Sequence, residues 1–138
     1  MQKYLSNSAA ETKSIAAKLA KDSKDYIFAL TGELGAGKTT FVQGFAKGLG
    51  IKEKITSPTF VLIRQHPIPN TTKILYHIDL YRLENTKDFQ QLGLEEIWLD
   101  PNNIILIEWA EKLKELPKDS IKIKITKNGD QKRIITIS

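Results

Sequence analysis

TGELGAGKTT, residues Thr31–Thr40, decides how the rest of this chain is read. From Gly32 to Thr39 it carries the spacing Gly-x4-Gly-Lys-Thr, the Walker A pattern. Glycines at 32, 35 and 37 allow backbone conformations closed to other residues, so successive N–H groups can turn inward as an anion nest ahead of a helix. Lys38 can then reach the β- and γ-phosphates of a nucleotide, and the Thr39 hydroxyl a magnesium ion. The flanks fit. Tyr26–Leu30 is a short apolar run that reads as a buried strand, while Phe41, Phe45 and Leu49 recur at helical spacing over 38–49, with Gly50 as the stop. Gly44 and Gly48 weaken that helix by propensity, and close packing against the sheet is the expected reason for them.

Upstream, Ser8 and Glu11 form a capping box for a helix running to about Ala20. Downstream, Thr59–Ile63 and Ile74–Ile78 read as strands joined through 66–70, too short a connection for a helical crossover and hence antiparallel. The pattern over 85–99 is irregularly helical. Asn103–Ile107 is the most apolar run and predicts a strand covered on both faces. A short helix over 110–116 is expected to stop before Pro117. Ile121, Ile123 and Ile125 alternate with polar residues, and Asn128-Gly129 turns the chain back into 133–137, a hairpin with one solvated face. With no repeat or linker, these elements predict one α/β domain over 1–138, a single-domain P-loop NTPase fold with a central mixed β-sheet, flanking helices and antiparallel hairpins.

A phosphate cradle does not say what happens to the phosphate, and three stretches compete to supply the metal partner and the switch. Ile104–Trp109 ends four apolar residues in Glu108, as a Walker B strand delivers an acid beside the phosphate loop. Glu108 can hold Mg²⁺ or orient the attacking water, and Trp109 is a stacking or core residue. His77–Arg82 offers Asp79 as the rival metal or water group, with His77 on the same strand face in a hydrogen-bonded structural role and Arg82 beyond. Thr56–Phe60, with Pro58 holding Ser57 extended, is either a γ-phosphate switch or a turn entering a strand.

Composition bounds the rest. The 138 residues suit one core, and 41% hydrophobic with 27% charged residues is ordinary for a globular protein. No run approaches the ~20 apolar residues of a membrane span, so no membrane partner is expected, and the first residues resemble neither a secretory signal nor a transit peptide. A cytosolic location is the expectation. Zero cysteines exclude disulfides, thiolate catalysis and cysteine-bound zinc. A net charge of +5 suits an anionic partner, but the 18 lysines are scattered and read mostly as solvated surface.

Taken in order, GELGAGKTT, SPTF, HIDLYR and IEWAEKL closely resemble the TsaE (YjeE) family over about residues 8 to 133. The resemblance implies a small bacterial ATPase needed for threonylcarbamoyladenosine formation next to the anticodon of tRNA. It also implies work on the TsaD and TsaB proteins, with TsaD performing the transfer and tRNA engaged only indirectly. By resemblance, Gly35, Ala36, Gly37, Lys38, Thr39 and Thr40 hold the phosphates of ATP, Thr39 and Glu108 hold Mg²⁺, and Lys38, Asp79 and Glu108 serve turnover. Trp109 and Glu111 sit beside the nucleotide, and Thr12 and Arg133 match positions near it more loosely.

Rival readings are weaker. A nucleotide or small-molecule kinase surrounds the transferred phosphate with several lid arginines, and this chain has only Arg64, Arg82 and Arg133. A regulatory GTPase would show N-K-x-D and D-x-x-G, which are absent. A binding module that ATP locks into shape, with incidental hydrolysis, is the non-enzymatic alternative.

Overall fold

The computed structural model describes residues 2–33, 35–53, 63–81, 93–113 and 115–138. Their order is β1 (Gln2–Ser6), α1 (Ala9–Asp22), β2 (Ile27–Gly32), α2 (Lys38–Gly48), β3 (Ile63–Pro67), β4 (Ile74–Asp79), α3 (Leu94–Leu99), β5 (Asn103–Glu108), a 3-10 turn (Ala110–Lys112), β6 (Ile121–Lys127) and β7 (Arg133–Ile137). The strands form one mixed sheet in the order β1-β7-β6-β2-β5-β4-β3. Its centre, β6-β2-β5-β4, is parallel, and antiparallel pairs flank it on both sides.

Alternation along the strands sorts the core into two layers. Phe28, Leu30, Leu75, Leu106 and Ile123 meet α1 and α2 through Ala16, Phe41, Val42 and Phe45, with the Phe28 and Phe45 rings edge to face at 4.9 Å. On the opposite face Ile27, Ala29, Ile78, Ile105 and Ile107 pack beneath Leu94 and Ala110. The central strands are therefore covered on both sides, as the apolar run at 103–107 predicted.

The helix starts follow their caps. The Ser8 hydroxyl accepts the Glu11 N–H at 3.1 Å, and the Glu11 carboxylate accepts the N–H of Asn7 rather than that of Ser8, also at 3.1 Å. This end of the box is one residue wider than expected, and α1 runs two residues past Ala20.

Several expectations need correction. Gly44 and Gly48 face α1, not the sheet: a Cβ at Gly44 would lie 2.4 Å from the Lys13 carbonyl oxygen, and one at Gly48 2.5 Å from that of Ala17. The predicted helix over 110–116 is only a 3-10 turn, because Leu113 is already extended and the residue before Pro117 disfavours the helical region. His66 and Pro67 belong to β3, and the reversal lies beyond them around Asn70 at φ 64°. Pro67 is tolerated there because β3 is the last strand in the sheet order. Within the helical pattern expected over 85–99, α3 (Leu94–Leu99) has Gly93 as its N-cap in the left-handed conformation. Strand β1, read without a secondary structure beforehand, pairs antiparallel with β7 from Gln2 opposite Ile137 to Ser6 opposite Arg133. The expected strand at 59–62, the Thr56–Phe60 elbow, Arg82 and the helical pattern over 85–92 lie outside the described residues.

Candidate functional site

The loop after β2 takes the shape its glycines allow. Gly35 and Gly37 have φ of 80° and 105°, in the left-handed region, and Gly37 is the N-cap of α2. No side chain caps that helix among the described residues and no acid occupies its first turn, so its positive end faces the loop interior without a resident partner charge. Lys38, Thr39 and Thr40 form the first turn. Arg133, the first residue of β7, braces the loop from outside: its Nε donates to the Ala36 carbonyl at 2.8 Å, and a terminal nitrogen lies 3.5 Å from that of Gly35. The same guanidinium bonds the carbonyls of Gly129, Asp130 and Lys132 in the hairpin turn.

The parallel register places the two predicted acids together. Asp79 ends β4 directly opposite Glu108, which ends β5, and both lie on the α2 side of the sheet. Both are buried, at 7% and 2% exposure. His77, two residues before Asp79, donates its Nε2–H to Glu108 Oε2. The Asp79 carboxylate accepts the Tyr81 N–H at 3.0 Å. Burial pushes the Asp79 carboxyl above the usual aspartate range, helped by the nearby Glu108 charge and opposed by the Tyr81 bond, His77 and Lys38.

Lys38 connects loop and acids. Its ammonium donates to the carbonyls of Gly32 and Glu33, the latter at 3.0 Å, and sits 4.0 Å from the centre of the Trp109 ring. Burial lowers its pKa below the ordinary lysine value, while Glu111, Glu108 and Asp79 pull it back up. Trp109 reaches this position by a left-handed turn at φ 59° just after β5, and its ring meets that of Tyr81 at 5.0 Å. Such a conformation costs a non-glycine residue about 1–2 kcal/mol, and here the ring contacts hold it. Trp109 and the exposed Glu111 line one end of an open cleft of about 540 Å³ that also takes in Thr31, Gly32, Glu33, Lys124 and Thr126.

On the other side of the loop, Thr12, Gly37, Thr40 and Arg133 line a depression of about 60 Å³ with Ala9 and Gln131. Thr12 is buried and its hydroxyl is bonded to that of Ser6 at 2.7 Å. The structure thus brings the predicted site residues into two groups around one loop: Lys38, Asp79, Glu108, Trp109 and Glu111 on the acid side, and Thr12, Thr40 and Arg133 on the hairpin side. Sequence reasoning missed Tyr81 as the partner of Trp109, and Lys112, which donates to the Tyr81 carbonyl. It also missed Lys127, whose ammonium hangs beside Gly35. The signal that could have found it is parity: Lys127 continues the face of Ile121, Ile123 and Ile125, which packs in the layer with α1 and α2.

A parallel β-strand, a glycine loop and an uncapped helix, with an acid at the end of the neighbouring strand, define a P-loop type of α/β protein. The chain belongs to the TsaE family: the family model described as threonylcarbamoyl adenosine biosynthesis protein TsaE matches residues 6–135. It is 42% identical over 130 residues to the tRNA threonylcarbamoyladenosine biosynthesis protein TsaE of Bacillus subtilis, covering 93% of this chain and 79% of the relative. Against the TsaE protein of Rickettsia bellii the identity is 39% over 135 residues, covering 96% and 91%. The fold superposes on the crystal structure of Bacillus subtilis YdiB with a TM-score of 0.76 at 37% identity, covering 99% of this chain and 83% of that one. No helix among the described residues is long and apolar enough to cross a membrane.

Proposed function

We propose that this protein binds ATP with Mg²⁺ and hydrolyses it as an accessory of tRNA threonylcarbamoyladenosine formation, acting on a complex of TsaD and TsaB and meeting tRNA only through them. The observation that carries this reading is the juxtaposition of the uncapped N-terminus of α2 with Asp79 and Glu108, adjacent in parallel register across from Lys38. A triphosphate suits the helix end, whose N–H groups and positive dipole favour an anion. The donor set suits magnesium, because the Glu108 carboxylate and the Thr39 hydroxyl are hard oxygen ligands of the kind that ion takes. When bound, the ion neutralises charge on the β- and γ-phosphates.

In this reading Gly35–Thr40 grip the phosphates. The Lys38 ammonium leaves the Gly32 and Glu33 carbonyls for the β/γ oxygens, and Thr39 with Glu108 holds the metal. Asp79, whose carboxyl burial pushes above the usual aspartate range, accepts the proton of a water whose oxygen bonds the γ-phosphorus as the bond to the β–γ bridging oxygen breaks, leaving ADP and phosphate. Trp109 and Glu111 flank the nucleotide on one side and Thr12 and Arg133 on the other. Cytoplasmic work on tRNA follows from the same reading.

Calorimetric titration of Mg-ATP into wild-type protein and Lys38→Ala tests it. Saturable one-site binding that weakens by at least ~10-fold in the variant is expected. Absence of binding in wild type, or equal binding in both, refutes it.

A further inference from the structure

Among the described residues, His77 is the one fully buried polar side chain beside the acids that this reading leaves without a task. It has 0% exposure, and no cluster of three or more potential metal ligands exists among the described residues to make it a ligand. Its ring makes one polar contact there, from Nε2 to Glu108 Oε2, while Nδ1 has no hydrogen-bond partner among the described residues. The sheet explains why the two meet. His77 lies opposite Leu106 and Asp79 opposite Glu108, so the imidazole stands one step behind the carboxylate on the same face of the adjoining strand.

A glutamate at a strand end has three side-chain torsions, and a carboxylate free to turn presents either oxygen, or neither, to a ligand. Here one oxygen is bonded and the carboxylate plane is thereby set. We propose that His77 is a positioning residue: it fixes the Glu108 carboxylate by engaging Oε2 and leaves Oε1 for the magnesium of the bound nucleotide. The proposal rests on the ATPase reading above. It differs from a core-filling role in that it requires an N–H at the Nε2 position rather than a ring of a given volume. Hydrogen-bond partners of metal-binding side chains typically change metal affinity or activity by about 10–100-fold when removed.

The test uses the full chain as His77→Leu and His77→Gln, the second able to donate from its own Nε2. ADP affinity is measured by calorimetry across a magnesium series and without magnesium, together with KM, kcat and melting temperature. His77→Leu is expected to bind metal-free ADP within about twofold of wild type, to need ~10-fold more magnesium for half-maximal tightening, and to lose ~10-fold in kcat with little change in KM. His77→Gln is expected to recover to within about threefold. In a Glu108→Gln background His77→Leu should add less than about twofold, because the two act as one unit. If His77→Leu does not fold, His77→Asn, whose shorter amide cannot reach Glu108, takes its place with the same expectations. Wild-type magnesium dependence in the donor-less variant overturns the proposal, as does a full further loss in the Glu108→Gln background. A wild-type protein that binds no magnesium nucleotide overturns the ATPase reading and this inference together, whereas one that hydrolyses ATP normally beside an unaffected His77→Leu overturns the inference only.

Discussion

Gly44→Ala sets helix propensity against packing, and the structure says which wins. In an isolated helix the change would stabilise by about 1 kcal/mol. In place, the new methyl carbon would lie 2.4, 2.5 and 2.8 Å from the carbonyl oxygen, Cα and carbonyl carbon of Lys13. Ordinary contacts of this kind begin near 3.5 Å, so α1 must retreat from α2 by roughly an ångström, and main chain cannot swing aside as a side-chain tip can. A gap of that width forfeits about a quarter to a half of the dispersion attraction along the contact, and overpacking usually costs about 1–3 kcal/mol. Taking the upper value, because both helices are rigid and Gly48 repeats the constraint against Ala17 one turn later, the net loss is about 2 kcal/mol. For a chain of this size that lowers Tm by roughly 6–10 °C. Differential scanning calorimetry of wild type and Gly44→Ala reads it directly. Since α1 also brings Ala9 and Thr12 to the rim of the depression beside Gly37, ADP affinity should fall as well. A Tm at or above wild type would show that the two helices yield without cost and would refute the packing argument.

Asp79→Asn keeps an acceptor for the Tyr81 N–H but removes the charge. Because burial raises the folded-state carboxyl above its ordinary value, the stability this group contributes is present below the unfolded pKa and lost as pH climbs through the folded one. The variant should therefore melt increasingly above wild type as pH rises above the ordinary aspartate value of about 4, while phosphate release falls. A constant offset between the melting curves would contradict that assignment. Arg133→Gln removes charged donors from the carbonyls of Gly35 and Ala36 and should weaken ADP binding by about tenfold or more, given about 1.5–3 kcal/mol for such bonds. Unchanged affinity would mean the loop holds its shape without that brace. Glu108→Ala should lower Mg-ATP turnover by at least ~10²-fold; near-normal turnover would assign the metal to Asp79 instead.

What could be read from the sequence was local. Thr31–Thr40 carries its own strand, loop and helix start, and the acids at 79 and 108 each end an apolar run, so the parallel core and both carboxylates were visible in the order of residues. What failed depended on partners distant in the chain. Gly44 and Gly48 announce a close approach, but nothing in their spacing says whether a sheet or α1 makes it. β1 has only Tyr4 and Leu5 as apolar residues and becomes a strand because β7, more than 120 residues on, offers it an edge. The His77–Glu108 contact spans 31 positions and exists only once β4 and β5 are in register. The left-handed backbone at Trp109 is likewise held by residues remote in the chain, Lys38 on α2 and Tyr81 just beyond β4.

Phosphate release from Mg-ATP by the purified chain, with and without TsaD and TsaB and beside Lys38→Ala, addresses the central claim most directly. Slow release by the chain, faster by at least ~10-fold with both partners and lost in the variant, is the predicted result. Release that is absent in every mixture, or the same for wild type and Lys38→Ala, would contradict it.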